Sequence, residues 1–522
     1  MTRDVRTRCL AALAALCAVA AVPGTAVADG AQGLPEYRTA EGAEAVEGTA
    51  SSANAERIEP GIYTDTIGRG ETRYYSVTLD ATSTAFISAV AVPKPGTRVE
   101  DYSDSLDVVL EDNDGNECGS GEVSFTGNGM AYPMGNHATR RIGADVLQCQ
   151  RRGPYFLKVE RGGKATSDPG RWPIEIRYMS EPGLKGGASA GQEPGSWSTA
   201  TPAPLTGTAA RKDARGGTGF NDARSVAKGI WKDRIRPGET RFFRVPVDWG
   251  QRLNLSAELP NAAGGQQSVS APFITEALGL TVYNPARGLV DDDNFAAYQG
   301  KQTAATLFTA PVEYGNRFRT ETGVPPMCVA GWYYLAVSLH PKAEAFFPKG
   351  ADLTLRVDVK GEPKAAPRYR GDAFKAGFGV SDEDREMAEQ GRTAAESERS
   401  DSRQLVAVAG FGAGTVLLLG LGAWTLAARR RAAGAAAGAP DPVPSAVGPS
   451  GTQQPHVPHQ SVPHQSPPHH QPQAHPEHSS FPRPQQPGGP DQQPGPHRPE
   501  APQQPGSPQQ PGSPPYGPPQ GW

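Results

Sequence analysis

The sequence predicts a mainly β chain: two tandem β-sandwich domains, one transmembrane helix and a disordered Pro-rich tail. Three observations predict it. A domain-sized segment occurs twice, beginning GIYTDTIGRGETRYYSVTLD at Gly61 and GIWKDRIRPGETRFFRVPVD at Gly229. Inside each copy, apolar and polar residues alternate with the two-residue period of half-buried strands. The uncharged stretch Leu405 to Ala428, LVAVAGFGAGTVLLLGLGAWTLAA, is long enough at about 1.5 Å per residue to cross a ~30 Å hydrocarbon core. Composition agrees with this division. Only 37% of the 522 residues are hydrophobic, which excludes a multi-span membrane protein, and 62 Gly with 51 Pro point to β domains on loose linkers. The net charge of −4, with no basic stripe, sets nucleic acid aside.

Residues 1–28 read as a signal peptide. Arg3, Arg6 and Arg8 precede the apolar run LAALAALCAVAAV, and Ala26-Val27-Ala28 offers a small-x-small cleavage site. Cys17 lies inside that run with Ala14 three positions before it, where a lipoprotein signal wants Leu, so Cys9 and Cys17 are expected to be lost on export. Residues 29–56, mostly Ala, Gly and Glu, read as a flexible lead-in.

The first sandwich is expected over 57–180 and the second over 219–360. Tyr75, Val77 and Leu79 alternate with Tyr74, Ser76 and Thr78, and Phe243, Val245 and Val247 repeat the pattern. LDVVLEDNDGNEC from Leu106 corresponds to LTVYNPARGLVDDD from Leu280, and CQRRGPYFLKV from Cys149 to CVAGWYYLAV from Cys328. The last strand pairs WPIEIRY from Trp172 with LTLRVDV from Leu353. Gly70-Glu71 and Pro237-Gly238-Glu239 carry turn chemistry between two strands. Many short strands of this kind make a sandwich, and each copy is large enough to fold alone.

Residues 181–218, rich in Gly, Ser, Ala and Pro, read as a linker, and the charged segment 361–403 as a stalk. Arg429, Arg430 and Arg431 follow the apolar stretch directly, so the positive-inside rule places them in the cytoplasm and everything before Leu405 outside. Residues 429–522, with their repeated QQPGSP, cannot bury enough apolar surface to fold and read as a disordered cytoplasmic tail.

In each copy a strand and a turn ending Gly-Glu-Thr lead into an aromatic strand, and a late Gly-x-Tyr-x-Leu or Gly-x-Tyr-Tyr-Leu strand follows. This arrangement resembles the pre-peptidase C-terminal domain family, β-sandwich modules of secreted bacterial hydrolases. With its anchor, the chain from about 58 to 430 is also similar to the C-terminal half of actinobacterial exported membrane proteins that begin with a von Willebrand factor type A domain. The segment Gly216-Gly217-Thr218-Gly219-Phe220-Asn221-Asp222-Ala223, leading into Gly229-Ile230-Trp231, carries much of that likeness. The resemblance implies a surface role and supplies no catalytic residues. The type A domain itself is missing.

Candidate sites are sparse. Asp101-Tyr102-Ser103-Asp104-Ser105 has the DxSxS form of a type A metal site but precedes a strand instead of ending one, so a polar loop is favoured. Asp112, Asp114 and Asn116 place short oxygen side chains as a calcium loop does, yet a turn between strands explains the same residues. The run Asp291, Asp292, Asp293 is a second calcium candidate of the same kind. His137 and His340 are the two histidines of the exported part, and neither lies in a nucleophile elbow or a metalloprotease helix. Tyr63, Trp231, Trp249, Tyr333 and Tyr334 could stack sugars but fit core packing better. The tail histidines, including His469-His470, follow its composition. No catalytic residue, metal or cofactor is assigned.

Of the three remaining cysteines, Cys118 and Cys149 lie in one sandwich and are expected to pair. Cys328 occupies the place of Cys149 in the second copy, where Cys118 has no counterpart, and is left to pack as a buried apolar residue or to link chains. The expected function is non-catalytic: a single-pass, type I cell-membrane protein whose outer domains bind or scaffold a protein or cell-wall glycan partner. The alternatives are a carbohydrate- or peptidoglycan-binding module and an accessory hydrolase.

Overall fold

The structure, a computed structural model, describes residues 33–397 apart from 128, 144–145, 187–196, 198–210 and 263–271, together with 399 and 421–431. The first copy contains β1 (Glu44–Ala45), β2 (Glu56–Arg57), β3 (Gly61–Ile67), β4 (Thr72–Leu79), β5 (Thr84–Ala91), β6 (Ser105–Asp112), β7 (Glu117–Ser124), β8 (Met134–Arg140), β9 (Gly153–Arg161) and β10 (Trp172–Glu181). The second contains β11 (Arg211–Asp213), β12 (Arg224–Ser225), β13 (Gly229–Ile235), β14 (Thr240–Val247), β15 (Arg252–Leu259), β16 (Ile274–Tyr283), β17 (Leu289–Tyr298), β18 (Thr303–Phe308), β19 (Gly331–Leu339) and β20 (Ala351–Lys360).

The repeat read in the sequence is a repeat of topology. The first copy forms sheets ordered β1-β3-β10-β5-β8 and β2-β4-β9-β6-β7; the second forms β11-β13-β20-β15-β18 and β12-β14-β19-β16-β17. Each strand therefore has its counterpart ten places on. Without the short parallel edge strands, each copy has eight antiparallel strands in two sheets of four. The first strand pairs with the last, as β3 does with β10, and the second with the next to last, as β4 does with β9. That is a jelly roll, an outcome finer than the sandwich expected. The two tight turns after β3 and β13 are locked alike: the Glu71 and Glu239 carboxylates accept from the Gly68 and Arg236 N–H groups at 2.6 and 2.8 Å.

Alternation holds where one face meets a core and the other meets water. In β9, Tyr155, Leu157 and Val159 are buried and their neighbours half-buried. It fails in β5, TAFISAVA, where all eight residues are buried. Ile87 and Ala89 enter the first core, while Phe86 and Val90 face the second sandwich.

Three segments set apart by composition differ from expectation. The lead-in over 29–56 supplies β1 and reaches β2, which pair parallel to β3 and β4. The linker over 181–218 supplies β11, paired with β13. The stalk over 361–403 holds helix α1 (Asp382–Gln390), whose Ser381–Asp384 capping box starts it and whose Gly391, at φ 63°, ends it. The Ala388 carbonyl accepts from the Ala227 N–H at 3.1 Å, so the helix lies on the second sandwich. These segments bury few large side chains. They are ordered through backbone bonds to sheet edges and caps, which composition does not report.

Among the described residues no helix is long and apolar enough to cross a membrane. Residues 405–420 of the expected span lie outside the described residues, and 421–431 are helical with every residue exposed. The expected signal peptide and the tail from 432 onward also lie outside them.

Candidate functional site at the junction of the two sandwiches

The period of β10 sends Ile174, Ile176 and Tyr178 into the first core and Glu175, Arg177, Met179 and Glu181 to the opposite face. In an isolated sandwich that face would meet water. Here the sheet β12-β14-β19-β16-β17 covers it. Phe220 meets Tyr283 and Tyr334 edge to face and Phe242 at a tilt, at centroid distances of 5.0 to 5.1 Å, beside Val90 of the first sandwich. Phe86 meets Phe378 at 5.6 Å.

Two carboxylates are sealed in this junction. Glu175 pairs with Arg287, both side chains 2% exposed, and Glu181 pairs with Arg317, both 1% exposed. Burying a charge is costly unless it is paired and hydrogen-bonded, and both glutamates are. Glu175 accepts from Tyr37 at 3.1 Å, from the Ala40 N–H at 3.0 Å and from Asn221 at 2.9 Å. Glu181 accepts from Arg317 at 2.9 Å and from Tyr369 at 2.7 Å. Each glutamate is thus held by an arginine of the other sandwich and by a tyrosine of a flanking segment. Burial raises the Glu175 pKa, but the Arg287 charge and these donors hold it below the ordinary value. Tyr334 is raised by burial and pulled below its ordinary value by Arg177, Arg244 and Arg287.

The flanking segments cross the junction in opposite directions. From the N-terminal side, the Arg38 N–H donates to Thr218 and its carbonyl accepts from Asn221, both at 3.0 Å. A Cβ at Gly219 would stand 2.4 Å from the Tyr37 ring, so only glycine admits this approach. From the C-terminal side, the Lys185 N–H donates to the Arg368 carbonyl at 2.7 Å, and the Arg370 N–H to the Gly183 carbonyl at 2.8 Å.

A cleft of about 410 Å³ opens along the junction, with Glu117, Ser120, Thr139 and Arg141 on one wall and Thr320, Thr322 and Cys328 on the other. His137 also borders it, with Phe86 at 5.6 Å and the Asn284 amide 3.2 Å from Nε2. Burial lowers the His137 pKa to about 4 and raises the Cys328 thiol to about 11.

The residues singled out in the sequence fall mostly elsewhere. Cys118 and Cys149 form a disulfide, with Cα atoms 5.6 Å apart, and Cys328 is a free, buried thiol. Asp112 Oδ1 accepts from the Asp114 and Asn116 N–H groups at 2.9 Å and from the Asn116 amide at 3.1 Å, closing the β6–β7 turn. Asp101 accepts from the Gly129 N–H at 3.0 Å, while Asp104, fully buried, accepts from the Glu100 N–H at 2.8 Å. Asp291, Asp292 and Asp293 lie in β17. Among the described residues no three His, Cys, Asp or Glu side chains come together to hold a metal ion. Tyr63, Trp231, Trp249, Tyr333 and Tyr334 are buried. His340 Nδ1 accepts from the Lys342 N–H at 3.0 Å as the cap of a short 3₁₀ turn. Glu175, Glu181, Arg287 and Arg317 were not singled out. Their one trace in the sequence is Glu175 on an outward position of the predicted strand, which an exposed strand would also carry; Glu181 fell in the expected linker, and the structure extends β10 to include it.

No protein-family model matches the chain, and no curated protein matches it. Among solved structures, the pre-peptidase C-terminal domain of a Bacillus anthracis collagenase is similar at 17% identity, covering 24% of this chain and 94% of that one, with a TM-score of 0.16. A tandem of CBM22 domains from Paenibacillus barcinonensis is similar at 12% identity, covering 60% and 95%, with a TM-score of 0.17. Tandem CBM51 modules from Streptococcus pneumoniae share 7% identity over 57% and 83%, with a TM-score of 0.16. At such scores these likenesses carry no functional argument. The fold rests on the strand order itself.

Proposed function

We propose that this chain is a non-catalytic cell-envelope protein, held in the membrane by residues 405–428, whose two jelly rolls act outside as one binding or scaffolding body. The observation that carries this reading is the junction. Two buried Glu–Arg pairs, each capped by a tyrosine, join the modules into one body with a composite surface. The arginine triplet after Ala428 supports the orientation.

The chemistry of the cleft supports binding over catalysis. At neutral pH a thiol raised to about 11 stays protonated, and an imidazole lowered to about 4 stays neutral and is a weak base. The hydroxyls of Ser120, Thr139, Thr320 and Thr322, beside Glu117 and Arg141, suit a polar protein segment or a cell-wall glycan.

Protease added to intact cells is expected to cut between 29 and 403 and to spare a C-terminal epitope; loss of that epitope reverses the orientation. A cross-linked pull-down from the native cells identifies the partner. Thr139→Arg, which fills the cleft, is expected to abolish capture, and undiminished capture removes the cleft from this reading.

A further inference from the structure

The segment between the second sandwich and the expected span is largely used up in packing. Beyond α1, the Arg392 carbonyl accepts from the Ser225 N–H at 3.0 Å. Arg224 bonds the Gly391 carbonyl at 2.9 Å and Glu396 at 2.5 Å. The chain is therefore tied to the sandwich as far as Glu396. Only residues 398–404 separate Ser397 from Leu405, and fully extended they reach roughly 30 Å at most.

The face nearest that tether holds a second cleft, of about 370 Å³, built from the Arg38–Glu41 segment, the Arg215–Arg224 turn and the residues after Arg392. Four arginines line it: Arg38, Arg215, Arg224 and Arg399. Its three carboxylates are already engaged. Glu41 is bonded by Arg38. Asp222 accepts from the Thr218 and Gly219 N–H groups at 2.8 Å. Glu396 accepts from Arg224 and from the Thr393 N–H at 3.0 Å. The guanidiniums of Arg215 and Arg399 have no acidic partner among the described residues.

We propose that this face lies against the outer surface of the bilayer, and that Arg215 and Arg399 bind the phosphate of an anionic phospholipid headgroup. The proposal rests on the membrane reading above, since the short tether is what keeps the cleft within reach of lipid. Guanidinium suits phosphate through bidentate hydrogen bonds. The body then stands at the membrane instead of at the end of a stalk, and its partners lie in the layer next to the lipid.

The full chain in nanodiscs tests this. Amide hydrogen exchange over 38–41 and 392–397 is compared in phosphatidylcholine discs and in discs containing phosphatidylglycerol. Two arginines near an anionic surface imply roughly tenfold or more added protection with phosphatidylglycerol. Arg215→Gln/Arg399→Gln is expected to remove that difference and leave β19 exchange unchanged. Equal protection in both discs, or a difference that survives in the variant, overturns the proposal. So does inorganic phosphate giving the same protection in phosphatidylcholine discs, because the ligand is then free phosphate. A chain that fails to co-elute with discs of either kind overturns the anchor reading as well, and that result is read separately.

Discussion

Replacing Arg317 by Met is expected to destabilise the junction far more than loss of a surface ion pair would. Arg317 and Glu181 are each 1% exposed, and Glu181 would keep only the 2.7 Å bond from Tyr369. Removing one partner of a buried pair costs about 3–5 kcal/mol, because the other charge is left uncompensated. That is a factor of roughly 150 to 5,000 in the folding constant. Glu181→Leu should cost a similar amount, as Arg317 then keeps the Cys328 carbonyl at 3.0 Å and the Tyr314 ring at 3.6 Å but no anion. The double variant puts two apolar side chains together and should fall within about 2 kcal/mol of the parent. The cycle should therefore show a coupling of about 3 kcal/mol or more. Urea unfolding followed by tryptophan fluorescence reads this, with Trp172 reporting the first core and Trp231 and Trp249 the second. If each single variant costs under about 1 kcal/mol, as exposed pairs do, or if the two costs simply add, the buried pair is refuted.

Four further outcomes are expected. His137, held near 4 in the folded protein against an ordinary 6.5, takes up its proton in the unfolded chain first. Its contribution is therefore complete above pH 6.5 and is lost as pH falls toward 4, by up to about 3 kcal/mol; subtracting the His137→Gln profile isolates it, and no difference between the two refutes its burial. Opening the Cys118–Cys149 bond, whose partners are 31 residues apart, should cost about 2–4 kcal/mol; non-reducing peptide maps should contain that pair and no peptide with Cys328. Gly288→Ala would set a Cβ 2.4 Å from His137 Nε2, so it should loosen the junction and raise amide exchange at Leu289, whose N–H bonds Asn136 across it. Residues 33–186 and 211–397, expressed separately, should fold and re-associate on mixing, because Phe86, Val90, Phe242 and Tyr334 would otherwise face water; independent elution from a sizing column would count against a closed junction.

Much of each sandwich was legible in the sequence. β4, β9 and β10 and their counterparts announce themselves because one face meets a core and the other does not, and two-residue alternation records that difference. The Cys118–Cys149 pair followed from counting the cysteines of a duplicated chain expected to be exported. β5 and β7 escaped for opposite reasons. β5 is buried on both faces and has no polar phase, while β7, ECGSGEVS, buries only Val123 and has almost no apolar phase.

What the sequence determined by itself is therefore local: strand periodicity, the duplication, the turn at Asp112, and a charge asymmetry around an apolar stretch. Only the tertiary structure decided that the outward face of β10 is an interior. Whether Glu175 and Glu181 meet water or Arg287 and Arg317 depends on a surface contributed by residues more than a hundred positions away. An alternating strand reads the same whether its polar face is solvated or sealed beneath a second domain. The pairing that tells the two apart is a property of contact in space, to which a period along the chain is blind.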